Sequence, residues 1–139
     1  MHILGRLGEA FLGGTFAVLG SSALRAPRGP AELARPALER IRKVLPLPKD
    51  DDLLVRVNGA VQAGAGASMA IGVLPRPAAL VLAATLIPTT YAGHPFWSTH
   101  DPAQRTAQRT QFLKNAAMFG GLLVVAGTRR RVGTACGTS

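Results

Sequence analysis

The chain has 139 residues, of which 47% are hydrophobic and 17% are charged, and its formal net charge is +9. This length holds one domain, residues 1–139, and leaves no room for a separate soluble catalytic domain. The positive charge would suggest nucleic acid as a partner of a soluble protein, but aromatic residues for base stacking amount to only 5%, so we expect no nucleic acid. One cysteine, Cys136, and the lack of a Cys/His cluster with metal-ligand spacing predict neither an internal disulfide nor a metal site.

Long uncharged stretches dominate the sequence. Residues 57–75 and 77–93 contain no acidic or basic side chain, and shorter uncharged stretches cover 10–24 and 115–128. A helix that crosses a bilayer core needs about 20 mostly apolar residues, and it pairs its own backbone polar groups there. We therefore predict an all-α, integral membrane four-helix transmembrane bundle, with spans at about 3–24, 53–74, 77–93 and 112–128.

The alternative is a small soluble all-helical domain with short buried helices. Its best support is the modest mean hydropathy of +0.22. An amphipathic soluble helix places charge on its outer face at every turn. Here the charges gather in three segments, 25–52, 101–109 and 129–131, and this segregation favours the membrane interpretation.

The first span contains Arg6 and Glu9, which are three residues apart and able to pair on one helix. The basic surface loop between the first two spans, 25–52, is predicted to contain an amphipathic helix at 32–45 with an apolar stripe of Leu38, Ile41 and Leu45. Two interpretations of this helix stay open: it lies on the membrane surface, or it is a solvated connector.

Small residues recur at helical spacing in the second span and predict close helix packing. One row is Ala60, Gly64, Ser68 and Gly72, and a neighbouring row is Gly59, Ala63 and Ala67. We read this span as the central packing helix, and the rows imply no chemistry.

Prolines and charged residues predict where the remaining elements begin and end. Residues 74–77 predict a tight turn, and Pro88 is expected to kink the end of the third span. Residues 98–111 are read as a polar loop before the fourth span. Arg129 to Arg131 would anchor that span in the headgroups.

Chain order brings polar residues to one side of the predicted bundle. In four antiparallel spans, the start of the second, the end of the third and the start of the fourth lie on the same side. The candidate ligand-binding residues gathered there are Arg56, Asn58, Gln62, Thr89, Thr90, Tyr91, His94, Lys114 and Asn115.

Two interpretations of this cluster compete. Arg56 and Lys114 could reach the headgroups while the amides hydrogen-bond between helices. Alternatively, the cluster forms a shallow pocket at the membrane edge for a lipid-soluble ligand with a polar head, such as a quinone. In that pocket His94 would exchange protons and Lys114 would stabilise an oxyanion. We favour the structural interpretation, because polar residues at helix ends are common.

Several strings in the sequence resemble the actinobacterial branch of the DoxX family of small four-helix membrane proteins. The most specific are Pro88 to Trp97 and Gln111 to Asn115, and weaker matches are Arg56 to Gly66, Gly72 to Arg76 and Gly120 to Leu123. The resemblance covers nearly all of the chain from Leu53 to Leu123, and the first span fits more loosely.

The resemblance implies a multi-pass protein of the cell inner membrane. Relatives include a membrane subunit of a thiosulfate:quinone oxidoreductase, and a mycobacterial relative is described as holding a superoxide dismutase and a sulfurtransferase in a membrane-associated oxidoreductase complex. Many DoxX sequences have a glutamate where this chain has Gln62, which weakens a claim to proton chemistry. No agreed catalytic residues carry over from the family.

Three functions are consistent with these observations. The first is a membrane subunit of a redox complex that binds a quinone at the level of Arg56, His94 and Lys114, and whether it catalyses a reaction is left open. The second is a non-catalytic anchor or scaffold for soluble redox enzymes. The third and weakest is a small-molecule transporter, because four short spans offer no polar lane unless they form an oligomer.

The distribution of Lys and Arg bears on orientation and on lipid partners. Nine basic residues fall in the first and third loops, which the positive-inside rule would place in the cytoplasm, next to anionic lipids. The opposite orientation has support from the compact basic segment 129–131 and from four-span relatives, which more often have both termini inside. We lean slightly towards the charge count.

Overall fold

The computed structural model describes residues 2–128, which fold into α-helices joined by short connections. Within this part of the chain there is no β-strand, so the predicted all-α class is confirmed. The helices are α1, His2–Arg25; α2, Arg28–Arg42; α3, Asp51–Ala70; α4, Pro75–Gly93; and α5, Pro102–Gly127, with a 3₁₀ turn at Phe96–Ser98 before α5. The predicted basic anchor at Arg129 to Arg131 and the single thiol of Cys136 lie outside the described residues.

The connection between α3 and α4 comes earlier than predicted. Gly72 has a φ of +78° and Leu74 a φ of +49°, and both values are incompatible with a continuing right-handed helix. The Val73 backbone N–H donates to the Ser68 carbonyl at 2.9 Å, which caps the last turn of α3. Pro75 is then the first residue of α4, a position that suits its missing N–H. The predicted tight turn at 74–77 is therefore wrong, and the turn precedes Pro75.

Helix α5 begins about three turns before the predicted fourth span, so the polar loop expected at 98–111 is wrong. The Asp101 carboxylate accepts a hydrogen bond from the Gln104 backbone N–H at 2.8 Å, and Pro102 occupies the first helical position. These two residues are a strong start signal for a helix. The first turns of α5 are polar and were therefore predicted as a loop, although polar composition does not prevent helix formation.

Helices α1 and α3 touch through their backbones. A Cβ added at Gly66 would lie 2.6 Å from the backbone nitrogen of Ala17 and from the Gly13 carbonyl oxygen, and one added at Gly20 would lie 2.5 Å from the Gly59 carbonyl oxygen. Only glycine fits such a crossing. The packing face of α3 is therefore the row containing Gly59 and Ala63. The other predicted row takes no part in this crossing at Gly64, where an added Cβ would meet nothing within 4 Å.

A small apolar core lies between α1, α3, α4 and α5. Its fully buried large side chains are Phe16, Met69, Leu82 and Leu122. At the end of α3 opposite the predicted polar cluster, Arg6 forms the expected ion pair with Glu9 at 3.3 Å. Arg6 also donates to the Ile71 carbonyl at 3.4 Å, so it ties α1 to the end of α3.

Helix α2 packs onto the bundle rather than lying apart from it. Ala31 and Ala34 are buried, and the helix contacts both α3 and α4. A carboxylate at the start of α3 holds it: Asp51 accepts from the Arg35 side chain at 3.4 Å and from Arg42. Arg42 also donates to the Pro48 carbonyl, with its Nε at 3.0 Å and its Nη2 at 2.6 Å. This packing differs from a solvated connector, and the membrane-surface interpretation stays a prediction.

Removing the Asp51 carboxylate should release α2. We expect Asp51→Ala to cost about 2 kcal/mol, because hydrogen bonds to charged groups contribute about 1.5–3 kcal/mol and the exposed Arg35 contact adds little. The measurement is detergent-solubilised thermal unfolding together with protease cleavage in the connections flanking α2. Asp52→Ala is the matched control, since both acids lie in the first turn of α3 and lose the same helix-dipole interaction. Equal cleavage of the two variants would refute the role of Asp51.

Among the helices of residues 2–128, one is long and apolar enough to cross a bilayer, Ile3–Arg25, with a mean hydropathy of 1.3 over its most apolar window. Only 17% of that window is buried. A single helix of this kind also occurs in soluble proteins, so the four-span bundle stays a prediction.

Candidate ligand-binding cavity

A cavity of about 460 Å³ lies between the helices on the side where α2 packs. Side chains from α1 to α5 and from the connection after α2 line it. Most of the lining is apolar, and α2 contributes Leu33, Leu38 and Ile41 to one wall. The apolar stripe that the sequence analysis assigned to a membrane surface or to solvent therefore faces, in part, an internal space.

The polar wall of the cavity is built around one threonine hydroxyl. Asn58 Nδ2 donates to Thr89 Oγ1 at 3.0 Å, and Gln62 Nε2 donates to the same oxygen at 3.3 Å. The Thr89 hydroxyl in turn donates to the Thr85 carbonyl at 2.8 Å. Gln62 is only 5% exposed, and it is the buried polar side chain of the described core. One turn of helix separates Asn58 from Gln62, which is why both amides reach one residue of α4.

Two further polar contacts join α4 to α5 near this wall. Asn115 Nδ2 donates to Thr90 Oγ1 at 3.0 Å, and His94 Nδ1 lies 2.8 Å from Gln108 Oε1. With Gln108 Oε1 as the acceptor, Nδ1 of a neutral His94 carries the proton and Nε2 is left as an acceptor. His94 and Asn115 both line the cavity.

The remaining predicted site residues lie elsewhere. Arg56 and Lys114 are exposed and do not line the cavity. Tyr91 is 44% exposed and packs against Trp97, with ring centroids 5.5 Å apart. The polar groups that come together are therefore the amides, Thr89 and His94. The predicted pocket that holds both His94 and Lys114 is wrong, because His94 lines the cavity and contacts Gln108 whereas Lys114 does not line it.

A family model, DoxX, matches residues 4–95 of the chain, which cover α1 to α4 and the residues immediately after them. The chain belongs to the DoxX family. No characterised protein and no solved structure matches it. DoxX is a family of membrane-associated proteins, and the apolar α1 is consistent with membrane association.

The DoxX match includes most of the cavity but not α5. Asn58, Gln62, Thr89 and His94 lie within the matched residues, whereas Asn115 and Gln108 lie beyond them. All these side chains can form hydrogen bonds to a ligand. Within the described residues no group of three or more His, Cys, Asp or Glu side chains is placed to hold a metal ion.

Sequence reasoning misses the partner of His94 and one wall of the cavity. Gln108 falls in a predicted loop, although Asp101 and Pro102 signal a helix start that places it nearly two turns into a helix facing His94. The wall formed by α2 was missed because an amphipathic stripe alone does not distinguish a membrane surface from a protein surface.

Proposed function

We propose that the protein is a four-span membrane protein of the cell membrane that binds a quinone, or a similar lipid-soluble molecule with a polar head, as a subunit of a redox complex. The observation that carries the proposal is the apolar cavity with the amide cluster of Asn58, Gln62 and Thr89 in its wall.

Outward-facing apolar side chains support the four spans. Large aliphatic residues are strongly exposed on all four long helices: Leu4 at 76%, Val57 at 54%, Ile87 at 59% and Val124 at 67%. Large aliphatic side chains are favoured inside a soluble protein. In a bilayer the same side chains face lipid, and small residues mediate the contacts between helices, as at the α1–α3 crossing.

The cavity has the properties of a small-molecule site. Its volume of about 460 Å³ falls in the range of ~300–1,000 Å³ usual for ligand pockets, which are mostly apolar with a few placed polar groups. A quinone has this pattern, since an apolar ring and tail carry two oxygens. The residues present fit such a molecule: Gln62, Asn58 and His94 would contact its polar head, while the leucines of α2 and α4 would contact its ring.

The second candidate, a non-catalytic anchor for soluble redox enzymes, is favoured by a different feature. The first turns of α5 carry Arg105 and Arg109 one turn apart, and both are exposed. A polar helical extension of this kind would stand outside the bilayer and offer a soluble partner a basic face.

Co-purification of a ligand tests the proposal. Membranes are washed with alkaline carbonate, which should leave the protein in the pellet, and the protein is then purified in mild detergent and extracted with organic solvent. We expect a quinone in the extract in near-stoichiometric amount. A decyl-substituted benzoquinone added to stripped protein should quench the fluorescence of Trp97, the single tryptophan, in a saturable way. Release by carbonate would overturn the spans, and the absence of both a bound quinone and saturable quenching would leave the anchor role.

A further inference from the structure

We infer that the cavity selects a ligand head that donates hydrogen bonds, a hydroquinone or phenol, over a head that only accepts them, such as the quinone itself. The inference rests on the proposed function and specifies the chemical form of its ligand. It follows from the hydrogen-bond inventory around Thr89.

The Thr89 hydroxyl has no remaining hydrogen-bonding capacity. A threonine hydroxyl has one proton to donate and two lone pairs to accept with. Its proton goes to the Thr85 carbonyl at 2.8 Å, because that carbonyl oxygen can only accept. Both lone pairs then face Asn58 and Gln62, at 3.0 and 3.3 Å.

This arrangement fixes the orientation of both amides. Since Thr89 Oγ1 has no second proton, an amide oxygen turned towards it would meet an acceptor. Asn58 and Gln62 must therefore present their NH₂ groups to Thr89, and their oxygens, Oδ1 and Oε1, point away from it.

The two amide oxygens are available to a ligand. No described side chain or backbone group donates to either of them, and no described side-chain oxygen or nitrogen is both buried and unpaired. Both oxygens therefore have accessible surface. For Gln62, which is 5% exposed and lines the cavity, that surface is the cavity.

A neutral His94 imidazole can also favour a ligand head that donates a hydrogen bond. In the tautomer that donates from Nδ1 to Gln108 Oε1, 2.8 Å away, His94 Nε2 is an acceptor. In that tautomer the polar wall combines two amide oxygens and an imidazole lone pair, which accept, with the second hydrogen of each amide NH₂ group, which donates.

A hydroxyl head donates to the amide oxygens of this wall, whereas a carbonyl head can only accept from the second hydrogen of each amide and leaves both amide oxygens without a donor. Sites built to hydrogen-bond a ligand hydroxyl discriminate strongly against analogues that lack it, because the site's own buried polar groups are then left unpaired. We expect at least a ~10-fold tighter affinity for the hydroquinone than for the quinone. By linkage, each tenfold preference raises the two-electron potential of the bound couple by about 30 mV.

Three probes of one shape test the inference: a decyl-substituted hydroquinone, the corresponding quinone, and the dimethyl ether of the hydroquinone. Binding is measured anaerobically by isothermal titration calorimetry on the stripped full-length protein in detergent. The hydroquinone should bind at least ~10-fold tighter than the other two. Similar affinities for all three would overturn the inference and leave the proposed function standing. If none of the three binds, the proposed function falls, and the inference falls with it.

Variants distinguish the effect of hydrogen bonds at Thr89 and Gln62 from the effect of packing in the cavity. Thr89→Val frees both amides to turn, so the preference for the hydroquinone should fall to within about 2–3-fold. Gln62→Met removes one acceptor at similar side-chain volume and should also reduce the preference for the hydroquinone. Thr85→Val is the matched control, because the Thr85 hydroxyl donates to the Leu82 carbonyl and its own carbonyl, which serves Thr89, is unchanged. A full preference retained in whichever of Thr89→Val and Gln62→Met remains folded would refute the assignment.

Discussion

Gly66→Ala is expected to destabilise the protein by about 3 kcal/mol, at the upper end of the usual cost of overpacking. The added Cβ would lie 2.6 Å from backbone atoms of Ala17 and Gly13. Such atoms cannot rotate aside as a side chain can, so α1 and α3 would have to separate along their whole crossing. The measurement is thermal unfolding in detergent followed by circular dichroism, together with the fraction of monodisperse protein in size-exclusion chromatography.

Gly64→Ala is the matched control, two residues away on the same helix. Its Cβ would meet nothing within 4 Å, and alanine is a better helix former than glycine by roughly 0.5–1 kcal/mol. We therefore expect the control to be slightly more stable than the parent protein, and the two variants to differ in sign. If Gly66→Ala were as stable as Gly64→Ala, the close crossing of α1 and α3 would be wrong.

Ala92→Phe is expected to abolish quinone binding while the protein remains folded. Ala92 is 7% exposed and lines the cavity near His94, so a phenyl ring at this position would occupy the space proposed for the ligand head. The loss should reach at least about tenfold in Kd, or ~1.4 kcal/mol, as measured by saturable quenching of Trp97 fluorescence and by the amount of co-extracted quinone.

Ala84→Phe provides the control on the same helix. Ala84 is exposed and does not line the cavity, so the same substitution there should leave binding unchanged. Unchanged binding in a folded Ala92→Phe variant would mean that the ligand lies elsewhere, for example on the exposed aromatic residues Tyr91 and Trp97.

The helices were predictable where charge is absent, and their ends were not. The predicted spans 3–24 and 77–93 match α1 and α4 within about two residues, because a mostly apolar segment is a direct signal of a buried or lipid-facing helix. The end of α3 was misplaced by four residues, since the backbone conformations of Gly72 and Leu74 are properties of the turn and not of composition. The start of α5 was misplaced because polarity was taken as a loop signal.

The candidate site was predictable in position but not in detail. Antiparallel chain order correctly gathers Asn58, Gln62, Thr89 and His94 on one side. Which of the small-residue rows of α3 packs against α1 decides which side chains face inward, and the two rows are nearly equivalent by sequence alone. Because the row with Gly59 packs against α1, Gln62 faces the interior and Arg56 lies on the surface.

The unequal apolarity of the helices bears on biogenesis. Within residues 2–128, Ile3–Arg25 is the stretch apolar enough to enter a bilayer alone, yet its close partner α3 begins only at Asp51 and is synthesised after α2. On the proposed membrane assignment, α1 must wait in the lipid for its partner, and the glycines of α3 then complete the pair. The less apolar α3 would insert into the bilayer by packing against α1, because it partitions poorly into lipid by itself. We therefore expect a chain truncated after α2 to insert, and a chain lacking α1 to fail at insertion rather than at folding.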